Sequence, residues 1–411
     1  MAYPILAAQN TWYQSSVSRL EITEINIVDS YTENGSENEW WNADKDGTGA
    51  IKCYLTGTVL TIAGNGTGRI AMNENSYLAF SHSTSDDFSF VTAINGAEIL
   101  DFSNVTNMRS MFYNCAQLTT IDVSDWNTEK VTDMRTLFYK CGFLNNLNVS
   151  GWNTSSVENM RSVFNQCKSL TYIDVSGWKT DSVADMRTMF YGCEELTTID
   201  VSGWNTKNVT DMAGMFSKCY ALTTLDVSKW NTSNVTSIYD MFTNMNRLKS
   251  IVLGENFAFN GNGTCSPVAI LPTPDATVIS GADGNWYDED GVAYAPADIP
   301  SGVARTYYAS VELIEHDETK VIYLVPHASM LNLANSVRKI TRHTETMTLD
   351  EMISILNESD VYGEGYKAGY EAGVAEYAEI TKWDAQPAVE IDKIDNNLDK
   401  VLDFDNFSEE I

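Results

Sequence analysis

Carboxylates recur on a fixed spacing in this chain. Asp122, Asp174, Asp200 and Asp226 stand at multiples of 26 residues from one another, and Asn148 fills the remaining place. Each is flanked by apolar residues, as in Ile121-Asp122-Val123, so on a strand it projects from the face opposite the buried one. Neighbouring strands would bring these groups within roughly 5 Å of each other. Like charges that close raise each other's pKa or recruit a cation. The chemistry open to the column is therefore a Ca²⁺ bridge or a strip that holds sugar hydroxyls. A plainer role competes with it, because Ser124, Ser150, Ser176, Ser202 and Ser228 follow two residues later and can donate to the acids. Further polar residues share the exposed face. The candidate binding set is Asp122, Asn146, Tyr172, Asp174, Thr198, Asp200, Thr224 and Asp226.

Other residue types lead away from catalysis. The four histidines, His82, His316, His327 and His343, show neither ligand nor triad spacing, and no H-E-x-x-H, G-x-S-x-G or Walker sequence occurs. A glycosidase pair has no fixed sequence spacing, so acidity alone does not define one. Asn42-x-Asp44-x-Asp46-Gly47 has the start of a Ca²⁺ loop, but Cys53 stands where the twelfth position needs Glu, and the segment reads as a turn. Gly64 to Gly68 lacks the Lys-Ser/Thr ending of a phosphate loop and reads as a hairpin turn. The expectation is a protein that binds without turning over a substrate, with no catalytic residue, no resident cofactor, and Ca²⁺ only as the option on the Asp column.

The elements that position these residues follow from an internal repeat. Five of the seven cysteines, Cys115, Cys141, Cys167, Cys193 and Cys219, are 26 residues apart, and Met245 falls one period further on. Val, Phe, Leu and Trp columns keep the same step, for example Phe112, Phe138, Phe164, Phe190, Phe216 and Phe242. Free Cys packs as a small hydrophobe, and no C-x-x-C pair or neighbouring His makes the ladder a metal site. Cys53 and Cys265 could pair, although nothing in their spacing places them together. Val131, Met134, Phe138 and Cys141 are spaced three, four and three, which predicts a helix on one side of each repeat. Leu144, Leu147 and Val149 follow the L-x-x-L-x-L spacing of a leucine-rich repeat and predict a short strand on the other. One repeat cannot bury its apolar side alone, so stacking and capped ends are required. Arg109, Arg135, Arg161 and Arg187 form a further column, either a solvated face paired with nearby acids or a partner-binding stripe.

The stretch from Ile121-Asp-Val-Ser-Asp-Trp-Asn-Thr through Val131-Thr-Asp-Met-Arg-Thr-Leu-Phe138 resembles the repeat of BspA-like leucine-rich-repeat surface proteins. The resemblance covers about residues 90 to 253, and the segment from Trp40 to Gly66 is similar to what precedes the repeats in that family. It implies an adhesin-like binding surface and no enzyme. Leu331-Asn-Leu-Ala-Asn-Ser-Val-Arg-Lys-Ile through Met347-Thr-Leu-Asp-Glu-Met352 resembles a segment of phage and prophage structural and tail proteins, with Arg342 where that segment has Gly. This second resemblance implies a virion component.

The fold expectation is an α/β repeat solenoid of leucine-rich type with a β-rich N-terminal cap and a small α+β or helical C-terminal module. Its parts are a β-rich domain over 1–90, the solenoid over 91–253, a cap and linker over 254–310, a small module over 311–357 and an acidic tail over 358–411. Ala309 to Pro326 should hold one or two strands, and Met347 to Leu356 a helix capped by Thr348. Gly365, Gly369 and Gly373 beside Tyr362, Tyr366 and Tyr370, followed by Ile391, Ile394, Leu398 and Val401, suggest an oligomerisation or docking helix. The net charge of -30 argues against binding nucleic acid or anionic lipid. No run is long enough to span a bilayer, and the start at Met1 lacks a secretory signal, which favours release by lysis. The expected function is a phage virion surface protein, fibre or decoration, that recognises a host cell-surface protein or glycan, contacts other virion proteins and forms a homo-oligomer. A bacterial cell-surface adhesin and a purely structural capsid or tail component are the alternatives.

Overall fold

The computed structural model describes residues 3–8, 12–13, 18–31, 40–81 and 88–317. The chain divides into two compact units, Met1–Val321 and Ile322–Ile411, and every described residue lies in the first. The helix expected from Met347, the Gly and Tyr stripes after Tyr362, the apolar spacing from Ile391, and His82, His327 and His343 lie outside the described residues.

The first unit is β-rich. Its strands are β1 (Glu24–Val28), β2 (Trp40–Asn42), β3 (Lys52–Thr56), β4 (Val59–Ala63), β5 (Ile70–Ala71), β6 (Ala93–Asn95), β7 (Leu100–Asp101), β8 (Thr120–Ile121), β9 (Thr224–Val227), β10 (Ser250–Leu253), β11 (Trp286–Asp288), β12 (Ala293–Tyr294) and β13 (Arg305–Tyr308). The α-helix among the described residues is α1 (Val311–Asp317). Ile25 and Ile27 alternate with polar residues along β1 and bury one face, as a period of two requires. Strand β1 lies between β4 and β6 and runs parallel to both, so the N-terminal segment continues directly into the first repeats in the order β2-β3-β4-β1-β6-β8. At the other end β10 pairs in parallel with β9 and antiparallel with β13. The β11–β12 pair then extends the sheet from β13, and the parallel repeat edge is covered.

Between these ends, successive repeats pair in parallel with a 26-residue register. Asn107, Asp133, Asn159, Asp185, Asp211 and Ser237 bridge one to the next. The apolar columns stack on the same step. Phe112 and Phe138 lie 5.3 Å apart and nearly parallel, and Trp126 and Trp152 are 6.2 Å apart. Each indole also donates across a boundary, with Trp152 Nε1 reaching the Val123 carbonyl at 3.0 Å and Trp178 Nε1 that of Val149 at 3.1 Å. Two residues beyond each Trp, a buried Thr does the same in the other direction. Thr154 Oγ1 donates to the Lys179 carbonyl at 2.9 Å and Thr180 Oγ1 to that of Asn205 at 2.9 Å. These are the partners that make a buried hydroxyl or indole N–H tolerable.

The expected helix is absent from every described repeat. The segment from Val131 to Cys141 is instead a run of turns, and the reason lies in where its amides go. Met134, Thr136, Phe138 and Lys140 donate to Asn159, Arg161, Val163 and Asn165 in the next repeat, whereas Leu137, Tyr139 and Cys141 reach back three residues within their own. A helix would keep all of these bonds inside the segment. The alternation also needs left-handed residues. Ser110, Thr136, Ser162, Thr188, Gly214 and Asp240 form one column with φ from 50° to 62°, and Asn114, Lys140, Gln166, Gly192, Lys218 and Asn244 a second with φ from 61° to 70°. An L-residue pays about 1–2 kcal/mol for that conformation, and it is incompatible with the interior of a right-handed helix. The architecture is thus β-rich rather than α/β.

Three smaller expectations also change. Gly64 to Gly68 is not a hairpin turn: β4 and β5 belong to different sheets, and the loop is tied to the end of β1 by Gly64 N–H to the Val28 carbonyl and Gly68 N–H to Asp29 Oδ1. The stretch after Ala309 enters helix α1 rather than a strand. A further repeat unit precedes the first one legible in sequence, because Asn75 bridges Asn107, and the amides of Ser76, Leu78 and Phe80 donate to Asn107, Arg109 and Met111. Its step is 32 residues, so it falls out of the 26-residue column alignment.

The stacked Phe column predicts that Phe164→Ala lowers stability by about 3–5 kcal/mol, the usual cost of emptying such a site, measurable by urea unfolding followed through tryptophan fluorescence. The second left-handed column predicts that Gly192→Val costs roughly 1–2 kcal/mol, although the added Cβ would make only ordinary contacts with Gln166, the nearest to its Cγ at 3.5 Å. An unchanged midpoint for Gly192→Val would contradict the backbone assignment.

Candidate functional site

The strand side carries the sequence-predicted set where alternation put it. Asp122, Asn146, Thr198, Asp200 and Thr224 are exposed, and Tyr172, Asp174 and Asp226 are half-buried on the same side of their repeats. Alternation fixes this, as in β9, where Leu225 and Val227 point inward and Thr224 and Asp226 outward. The acids are held by the serines two residues on. Asp122 Oδ1 accepts from the amide and hydroxyl of Ser124 at 3.0 and 2.6 Å, Asp174 Oδ1 from Ser176 at 3.1 and 2.7 Å, and Asp200 Oδ1 from Ser202 at 3.0 and 2.7 Å. Asn148 makes the same pair with Ser150, and Asp226 accepts the Ser228 amide. The column is a series of local turns with the carboxylates locked in place. Tyr172 stands among them. Its partial burial, with Asp174 and Asp200 nearby, pushes its hydroxyl up to about 12, so it remains a neutral donor at any physiological pH.

Among the described residues no group of three His, Cys, Asp or Glu side chains gathers to hold a metal. The Asn42 to Gly47 segment is organised by Asp44, whose carboxylate accepts the Thr48 hydroxyl at 2.9 Å and the Gly49 amide at 3.0 Å, along with the Thr48 amide. Burial alone would raise the Asp44 pKa, but these donors outweigh it and hold the acid low. A carboxylate saturated by N–H and O–H donors is a turn organiser rather than a cation ligand.

All seven cysteines are free and buried. Those of the repeats donate to the Phe carbonyl of the preceding repeat, as Cys167 Sγ does to Phe138 at 3.2 Å and Cys193 Sγ to Phe164 at 3.2 Å. Burial drives the thiols of Cys141, Cys167, Cys193 and Cys219 far up. Cys53 and Cys265 do not pair with each other, since Cys53 is the buried residue of β3 and Cys265 Sγ bonds the Val235 carbonyl.

A second polar column was not singled out by sequence pattern. Asn107, Asp133, Asn159, Asp185 and Asp211 each accept the amide two residues on, at 2.9 to 3.0 Å, and together they form the parallel bridges between repeats. Its signal was the Asx two residues before each Arg of the Arg109 column, which was masked by the helical reading of that segment. Arg135 closes on Asp133 through Nε and Nη2, and Arg187 lies 3.8 Å from Asp211 and donates to the Tyr239 hydroxyl at 2.8 Å. The arginine column is thus partly paired with acids, as a solvated face would be. Asp185 is the strained member: burial, then the charge of Asp211, raise its carboxyl above the usual range, against the Arg187 amide, Arg161 and Asn159.

A family model described as a Mycoplasma protein of unknown function, DUF285, matches residues 81–173 and 170–257. The repeats match a known family. The matched region is the stack itself, with the N-terminal sheet up to Phe80 and the chain after Phe257 outside it. This agrees with the surface-protein repeat read from Ile121 to Phe138, and it assigns no activity. No curated protein matches the chain.

Two outcomes follow. Because the folded Asp185 carboxyl is raised, its ionisation costs stability that is regained below the unfolded pKa and lost as pH rises through the folded one. Asp185→Asn, which keeps the acceptor that Asn107 and Asn159 use, should raise the melting temperature at pH 7 and leave it unchanged near pH 3. The raised thiols predict that Ellman's reagent at pH 8 labels none of Cys141, Cys167, Cys193 and Cys219 in the native protein and all of them in guanidinium; rapid native labelling would show that the ladder is open.

Proposed function

We propose that this protein recognises a host surface without catalysing a reaction. In this reading the repeats build a leucine-rich-repeat-type solenoid whose strand side binds a cell-surface protein or glycan. The observation that carries it is the exposed column from Asp122 to Asp226, where serine hydrogen bonds fix each acid and Tyr172 stands between Asn146 and Thr198. Preorganised polar groups around a half-buried aromatic suit recognition, since little side-chain freedom is lost on binding. A carboxylate can accept from two vicinal sugar hydroxyls, and a tyrosine ring can cover an apolar sugar face.

We further assign the protein to a phage or prophage particle, as a fibre or decoration that contacts other virion proteins and copies of itself. That placement rests on the resemblance of residues 331–352 to phage structural and tail segments. A bacterial cell-surface adhesin is the second reading, and the match to a family described from Mycoplasma favours it.

One measurement separates these placements and a second tests the strand-side surface. Gold-labelled antibody on an induced culture should decorate particles; label confined to cell envelopes would replace the virion with the adhesin. Tyr172→Ala together with Thr198→Val should reduce binding of the full chain to host cells at least tenfold, a loss of about 1.4 kcal/mol, with the melting temperature unchanged. Full binding by that variant would remove the strand side from the recognition model.

A further inference from the structure

The turn side of the repeats carries an arrangement that the strand-side reading does not use. Arg109, Arg135, Arg161 and Arg187 occupy four successive repeats, and the Asx bonds to their amides fix where each side chain starts. Cations on this side lie over tyrosine rings: Arg109 over Tyr77 at 5.4 Å, Lys140 over Tyr139 at 5.5 Å, Lys218 over Tyr191 at 5.1 Å and Arg187 over Tyr239 at 5.8 Å. In a chain with a net charge of -30, these cations and tyrosines recur along one side of the stack.

The four arginines are not equivalent. Arg135 and Arg187 follow or face carboxylates, Asp133 and Asp211. Arg109 and Arg161 follow Asn107 and Asn159, are exposed, and have no carboxylate within ion-pair distance among the described residues, although the charge of Arg161 still acts on Asp185 in the next repeat. Two guanidinium forks therefore face solvent two repeats apart, with a paired arginine between them. A guanidinium fork matches a carboxylate through two parallel hydrogen bonds.

We propose that this strip binds an acidic polysaccharide with one carboxylate per sugar, lying along the stack. Between Arg109 and Arg161, rings of successive repeats lie 5.0 Å apart for Tyr113 and Tyr139, 5.3 Å for Phe112 and Phe138 and 6.0 Å for Phe138 and Phe164, a step comparable to the length of one sugar in an extended β-linked chain. In a two-fold ribbon of such sugars, alternate carboxylates point to the same side, which matches the two-repeat spacing of Arg109 and Arg161. The interleaved acids Asp133 and Asp185 disfavour a polymer of higher charge density, such as a polysulfate or polyphosphate, because its extra anions would meet them. The chain's overall negative field is screened beyond about 8 Å at physiological salt, so the local strip decides the encounter. The surface is distinct from the strand side and does not depend on it.

The test uses the full chain and immobilised β-1,4-linked polymannuronate at physiological ionic strength, with its methyl ester as the uncharged control and heparin and polyphosphate as the denser anions. Saturable binding to the polyuronate, at least about tenfold weaker for R109S/R161S, is the expected result, since charge-assisted hydrogen bonds are lost at two sites. The melting temperature of that variant should stay the same, as both side chains are exposed, and Tyr172→Ala should bind polyuronate normally. No binding, equal binding to the methyl ester, tighter binding to heparin or polyphosphate, or undiminished binding by R109S/R161S would each overturn the proposal. A protein that binds polyuronate but not host cells would separate this surface from the strand-side reading.

Discussion

Every second amide on the turn side of a repeat is committed to its neighbour, and the rest of the molecule depends on that commitment. Met134, Thr136, Phe138 and Lys140 donate forward while the residues between them close tight turns. A single repeat satisfies only half of its backbone and buries only part of its apolar surface. Both deficits are removed by the same act of stacking. The 26-residue register then follows without further instruction, because a slip of one residue would set Phe against Val, move each indole from its carbonyl, and leave buried N–H groups without partners.

The register in turn creates the surfaces. A side chain that recurs once per repeat becomes a column, and its chemistry is multiplied along the stack. Buried columns give a continuous core in which Phe lies on Phe, Trp on Trp and Cys beneath the carbonyl of the previous Phe. Exposed columns give two polar sides of different character. On the strand side, acids are tied to serines and surround Tyr172. On the turn side, Asx residues hold the arginine amides, and tyrosines carry cations on their faces. Variation within a column is where specificity enters. Asn in place of Asp leaves an arginine without a carboxylate two residues before it, and Tyr172 interrupts small polar neighbours.

The ends are solved differently from the middle. At the N-terminal side, β1 lies between β4 and β6, and a 32-residue step joins the preceding unit to the stack. At the C-terminal side, the antiparallel strand β13 covers β10, and Arg305 ties the cap together by bonding the buried Asp288 at 2.6 Å. Reversal of strand direction stops the ladder, because an antiparallel partner does not present the next repeat's pattern of donors. Exposed parallel edges invite further pairing, and here both are used internally.

The sequence by itself determined the repeat, its period, the identity of the buried columns and the outward side of the Asp122 to Asp226 strip. It could do so because burial leaves a compositional trace: one residue type recurs wherever the environment recurs. It also marked the arginine column and the local role of Ser124 and its equivalents, since a donor two residues from an acid is a short-range feature. Only the tertiary structure decided that the Val131 to Cys141 segment is a chain of turns. The three, four, three spacing of its apolar residues is shared by a helix and by two consecutive turns that each bring the chain back to the core. What separates them is the destination of the amide hydrogens and the sign of φ at Thr136 and Lys140. Neither leaves a mark on hydrophobic periodicity, because the partner carbonyls lie 25 residues away in the next repeat.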